Sequence, residues 1–140
     1  ISSKQFTFLI DANTGSITHK FNFGSNVRPI ILDDYLFLIT NNSFLISLEL
    51  NSGNIIYSYD LNKKISEFYN IKRKKIRPIN IVFLSDNIFI FLKNSYILRF
   101  DIFGDLIEVN KLPSKLNTFP IFIEKNTIYA NNKNKLIMLN

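Results

Sequence analysis

Pro78-Ile-Asn-Ile-Val-Phe-Leu-Ser-Asp-Asn-Ile-Phe-Ile-Phe-Leu-Lys-Asn-Ser-Tyr-Ile-Leu-Arg-Phe-Asp-Ile-Phe-Gly104 reads as three apolar strands joined by short polar turns and closed by a glycine. The same pattern runs from Pro29 to Gly53, and again from Pro120 to the last residue, Asn140. The prolines that lead it stand 49 residues apart (Pro29 to Pro78) and then 42 apart (Pro78 to Pro120). Short apolar runs repeated at that period are the signature of propeller blades. The expected fold is all-β, a partial β-propeller of four-stranded antiparallel blades numbering about three to three and a half.

The strands expected are 5–11, 16–23, 27–32, 36–40, 44–50, 55–61, 79–84, 87–93, 96–102, 106–112, 118–124, 127–131 and 135–139. Blade repeats then fall near 27–61, 78–112 and 118–140, with 5–23 completing a preceding blade. Helical periodicity is weak throughout. Asp33-Asp34, Asn41-Asn42, Ser85-Asp86, Asn94-Ser95, Lys125-Asn126 and Asn132 to Asn134 sit where tight hairpins need residues that tolerate positive φ. Leu36 to Ile39 and Ile88 to Leu92 are apolar on both faces, so each must be covered on both sides. In a propeller such a strand is the second of its blade. Ile55 to Leu61 and Leu106 to Leu112 admit polar residues at alternate positions and read as half-exposed outer strands.

Composition agrees with a strand-built core. The chain has 140 residues, 46% of them apolar, with 14 Phe and 6 Tyr against four Gly and four Pro. Beta-branched and aromatic residues suit pleated, half-buried surfaces. No apolar run reaches the roughly 18 residues a membrane-spanning helix needs. The chain has no cysteine, which excludes disulfides, zinc thiolate sites and a thiol nucleophile. It begins with Ile and shows no leader, which reads as a fragment or a processed form. The net charge is +6 and the pI about 9.6. The lysines are scattered through a sequence also rich in Asn and Ile, so nucleic acid is not expected as a partner.

Three turns share one chemistry. Asp11-Ala-Asn-Thr-Gly15, Glu49-Leu-Asn-Ser-Gly53 and Asp101-Ile-Phe-Gly104 each carry an acidic residue that can accept backbone N–H bonds and a glycine that supplies positive φ. Asp11, Gly15, Glu49, Gly53, Asp101 and Gly104 are therefore read as structural blade-turn residues. The longer first spacing is taken up by 62–77, a basic insertion between blades read as a loop. Lys72, Arg73, Lys74, Lys75 and Arg77 follow Phe68 and Tyr69 there, and these seven are the candidate partner-binding residues. The other reading of this loop is a solvated one whose Phe68 and Ile71 tuck against the blade rim.

The acidic-x-x-Thr/Ser-Gly turn resembles that of the PQQ-like repeat, whose blades read "LDxxTGxxxW". Leu9-Ile10-Asp11-Ala12-Asn13-Thr14-Gly15 matches closely, Leu48 to Gly53 matches with Glu49 for Asp, and Phe100 to Gly104 is one residue shorter. The family tryptophan, four residues after the glycine, packs between blades. Here that position holds His19, Tyr57 and Glu108, and Trp is absent from the chain. Tyr57 can fill the role, whereas Glu108 cannot. Asn117 to Asn140 looks like the final blade of the BamB family, periplasmic lipoproteins that help a β-barrel assembly machine insert outer-membrane proteins. The resemblance implies a non-catalytic protein-interaction scaffold, periplasmic and anchored at the outer membrane in its full-length form. The implied partners are proteins, a β-barrel assembly machine among them, with self-association through exposed terminal blades.

The alternative is a PQQ-like enzyme or ligand-binding propeller whose active site lies in blades outside this chain. A third reading is an envelope protein whose basic loop binds anionic polymer. A quinoprotein site needs a tryptophan floor and a calcium held by acidic residues, and the sequence offers neither that Trp nor calcium-loop spacing. His19 is the one histidine, with no strained serine elbow to serve it. No glycine-rich phosphate loop is present. No catalytic, cofactor-binding or metal-binding residue is assigned, and no cofactor is expected.

Overall fold

A computed structural model describes residues 1–72, 75–123 and 126–139. Within them lie thirteen strands: β1 Thr7–Ile10, β2 Ile17–Phe21, β3 Ile30–Leu32, β4 Tyr35–Ile39, β5 Phe44–Glu49, β6 Ile55–Asp60, β7 Pro78–Leu84, β8 Asn87–Leu92, β9 Tyr96–Asp101, β10 Leu106–Lys111, β11 Ile121–Ile123, β12 Asn126–Ala130 and β13 Leu136–Leu139. They form four antiparallel sheets, β1-β2, β3-β4-β5-β6, β7-β8-β9-β10 and β11-β12-β13, each in chain order. The architecture is a partial β-propeller.

Two-sided burial holds the sheets together. β4 sends Leu36 and Leu38 into a cluster with Leu9, Phe21 and Phe23 of the first blade. Its alternate residues Phe37 and Ile39 enter the cluster shared with Ile81, Ile88, Ile90 and Leu98 of the third. β8 does the same one blade later, with Ile88, Ile90 and Leu92 toward the second blade and Phe89 and Phe91 toward Phe122 and Tyr129 of the fourth. Because side chains alternate faces along a strand, one apolar run serves two interfaces.

The insertion is not a loop throughout. Leu61–Tyr69 forms a helix, α1. Asp60 caps it by accepting from the backbone N–H of Asn62 at 2.9 Å and Lys63 at 3.1 Å. Leu61 is buried and Ile65 packs on the same cluster, an i, i+4 pair that gives the helix one anchored edge. Asn70, at φ +50°, ends it in the left-handed conformation. Nine residues give too few turns for periodicity to stand out.

Positive φ appears at Asp33, at Ser85 and Asp86, and at Ser95 and Asn134. At the Asn41-Asn42 turn it moves one residue on, to Ser43, which closes the turn by donating its N–H to the Thr40 carbonyl. Lys125 of the Lys125-Asn126 turn lies outside the described residues.

The ends of the sheets follow from strand order. Turns joining first to second and third to fourth strands share one end: the Leu50 N–H reaches the Asp34 carbonyl at 2.8 Å. Turns joining second to third strands share the other end with the inter-blade connections. Asn41 donates to Gly24, Lys93 to Arg77 and Asn132 to Lys115, all main chain to main chain at 2.9–3.0 Å.

Candidate functional site

The acidic turns act as self-contained brackets. Asp11 Oδ1 accepts from Thr14 N at 2.7 Å, Asn13 N at 2.9 Å and the Thr14 hydroxyl at 3.0 Å. The Thr14 backbone N–H, the Thr14 hydroxyl and the Asn13 N–H hold its carboxyl below the usual carboxylate range. Glu49 accepts the Ser52 hydroxyl, and Asp101 Oδ1 accepts from Asp105 N at 2.8 Å. Gly15, Gly53 and Gly104 stand at φ +71°, +71° and +88°.

Two of these glycines have a second duty. A β-carbon on Gly53 would lie 2.2 Å from His19 Cδ2, and one on Gly104 would lie 2.3 Å from Tyr59 Cε2 and 3.0 Å from Tyr57 Cε2. The ring four residues past Gly15, His19, therefore rests on Gly53, whereas Gly104 is covered first by Tyr59, six residues past Gly53, and then by Tyr57, four past it. His19 and Tyr57 thus occupy the tryptophan position as inter-blade rings. The Tyr57 hydroxyl donates to the Ile102 carbonyl at 3.2 Å. Burial, then Tyr59 and Asp101, push its pKa up, so it stays a donor. Glu108 pairs instead with Arg99 at 3.1 Å.

The candidate partner-binding residues divide. Phe68 and Tyr69 end α1 with their rings edge to face at 5.5 Å, and the Tyr69 hydroxyl donates to Val109 O at 3.1 Å. Phe68 is 48% exposed and Ile71 46%, so neither tucks under the rim. Ile65 and Ile76 fill that place, with the Ile76 N–H held by Asn62 Oδ1 at 2.8 Å. Lys72, Lys75 and Arg77 are exposed. Arg73 and Lys74 lie outside the described residues. Lys75 and Arg77 meet Lys93, Leu116 and Phe119 around a cleft of about 680 Å³ where the inter-blade connections converge.

Charge separates by end. Among the described residues, the turns after first and third strands, with the strand residues that abut them, hold Asp11, Asp33, Asp34, Glu49, Asp86, Asp101 and Asp105, and no Lys or Arg. The opposite end carries Lys4, Lys93, Lys133 and Lys135 in its turns. Its connections add Arg28, Lys72, Lys75, Arg77 and Lys115, together with Lys63 of α1, which pairs with Glu67. Lys64 of α1 reaches the acidic end instead and pairs there with Asp105 at 3.3 Å. The sequence shows this partition once strands are assigned, because acids fall at every odd turn.

An apolar cleft of about 480 Å³ opens at the acidic end between second and third blades, lined by Tyr35, Phe37, Ile56, Tyr57, Ile102 and Phe103 among others. Phe103 is 72% exposed and Ile56 53%. The sequence signal was an aromatic in the short third turn, Asp101-Ile-Phe-Gly104, where the other two turns carry polar residues. No group of three metal-ligating side chains occurs among the described residues. No helix among them is long and apolar enough to cross a membrane.

No family model matches the chain, and no curated protein matches it. Solved structures do. BamB from Moraxella catarrhalis superposes with a TM-score of 0.70 at 12% identity, over 92% of this chain and 35% of that one. The computationally designed Ika8 protein gives 0.68 at 12% identity, over 96% of this chain and 40% of that one. The quinohemoprotein alcohol dehydrogenase from Comamonas testosteroni gives 0.54 at 13% identity, over 79% of this chain and 17% of that one. The chain thus spans well under half of each of these three. At such identities the likeness establishes the propeller fold and nothing further.

Proposed function

We propose that this chain forms blades of a non-catalytic propeller scaffold that docks proteins, with a BamB-like role in the assembly of outer-membrane β-barrel proteins from the periplasmic side. The carrying observation is the cleft beneath Phe103. Large apolar side chains stand in water around a concave seat between two rigid blades, a costly arrangement unless a partner covers it. The occupant that fits is an extended segment with apolar side chains on one face. The cleft takes those side chains, and the acidic residue Asp33 on its wall favours a basic flank on the partner.

The test is titration of the full chain with labelled peptides of alternating apolar and polar residues, compared with scrambled peptides of even hydrophobicity. Phe103→Ala should weaken binding about tenfold, as loss of a buried aromatic anchor does, with the thermal midpoint unchanged. Equal affinity for the variant, or no preference for the alternating pattern, would refute the docking seat.

A further inference from the structure

The basic end of the sheets is a second surface, distinct from the Phe103 cleft and at the opposite end of the strands. We infer that it binds an anionic lipid bilayer surface, face on. Three observations select this partner. First, the cations are spread over all four blades, from Lys4 in the first to Lys133 and Lys135 in the fourth. That matches a planar, delocalised field of negative charge better than a compact epitope. Second, lysines outnumber arginines heavily at this end, with Arg28 and Arg77 the arginines among the described residues. Lysine acts as a mobile point charge toward headgroups, whereas bidentate phosphate and base recognition favours arginine. Third, apolar side chains project among the cations: Phe119 is 69% exposed at the cleft of Lys75, Arg77 and Lys93, and the exposed Ile71 directly precedes Lys72 in the chain. An aliphatic residue such as Ile71 stacks poorly on a base but enters the headgroup boundary readily.

The acidic end completes the argument, since repulsion there leaves one orientation favoured on a negative surface. The Phe103 cleft then faces away from the lipid.

The test is co-sedimentation of the full chain with phosphatidylcholine vesicles, with and without phosphatidylserine. Binding should require phosphatidylserine and fall as salt rises. Lys75→Gln, Arg77→Gln and Lys93→Gln together should lower the partition coefficient roughly 100-fold. Asp33→Asn, Asp34→Asn and Asp86→Asn, which raise the net charge as much as the first set lowers it, should leave binding unchanged. The native chain has no tryptophan, so Phe119→Trp should report a blue shift on vesicle addition, and Phe103→Trp should not. Binding that follows net charge whichever end is altered, equal uptake by phosphatidylcholine alone, a blue shift at both positions, or tighter binding to an RNA homopolymer than to the vesicles would overturn the inference.

Discussion

Gly15, Gly53 and Gly104 form an internal control for inter-blade packing. All three share the left-handed backbone, and a β-carbon at Gly15 would meet nothing within 4 Å. Gly15→Ala should therefore cost only the conformational penalty, about 1 kcal/mol. Gly53→Ala adds the overlap with the His19 ring, and Gly104→Ala the overlap with two tyrosine rings. Overpacking of this kind costs roughly 1–3 kcal/mol more. Gly104→Ala meets two rings, Tyr59 first and then Tyr57, and Tyr57 is tethered to Ile102 O, so Gly104→Ala should cost the most. Urea unfolding of the three single variants gives the ranking. A cycle with His19→Ala isolates the contact: with the ring gone, Gly53→Ala should fall to the Gly15→Ala cost, a coupling of about 1–2 kcal/mol. Three equal penalties, or a cycle that closes at zero, would show that the rings do not seat on the glycines.

Gly24→Ala should destabilise by more than any of these, because the added carbon would meet the Ser3 carbonyl oxygen at 2.0 Å and backbone cannot step aside; thermal melts measure it. Leu38→Ala, at a fully buried site, should cost about 2–5 kcal/mol, whereas Leu136→Ala, 75% exposed, should stay within about 0.5 kcal/mol in the same assay. Asp60→Ala should cost about 1 kcal/mol through loss of the α1 cap, read as lost protection of the α1 amides in hydrogen exchange. The Asp11 carboxyl should titrate below the ordinary carboxylate value by NMR. Its contribution to stability is present at neutral pH and lost as pH falls through that depressed pKa, and Asp11→Asn should flatten the acid limb correspondingly.

The strands were legible because their alternation is local. Leu36 to Ile39 and Ile88 to Leu92 announce cover on both sides, and the structure supplies it from neighbouring sheets. The helix at Leu61 was hidden by its length and by lysines that mask its apolar edge. The seating of His19 on Gly53, and of Tyr59 and Tyr57 on Gly104, joins residues 34, 45 and 47 positions apart. The motif spacing marked His19 and Tyr57 but not Tyr59, and local pattern cannot reveal what lies opposite them. The Phe103 cleft was missed for a related reason, since Tyr57, Ile56 and Phe103 come together only when the second and third blades pack.

The second, third and fourth blades are each moored to the incoming connection by a main-chain hydrogen bond, at Asn41–Gly24, Lys93–Arg77 and Asn132–Lys115. Such moorings are indifferent to which side chains surround them. One connection already carries a helix that the other two lack. Mutation can thus rewrite the rim freely while the stack beneath keeps its order, and a lineage built this way can exchange what it recognises without redesigning its frame.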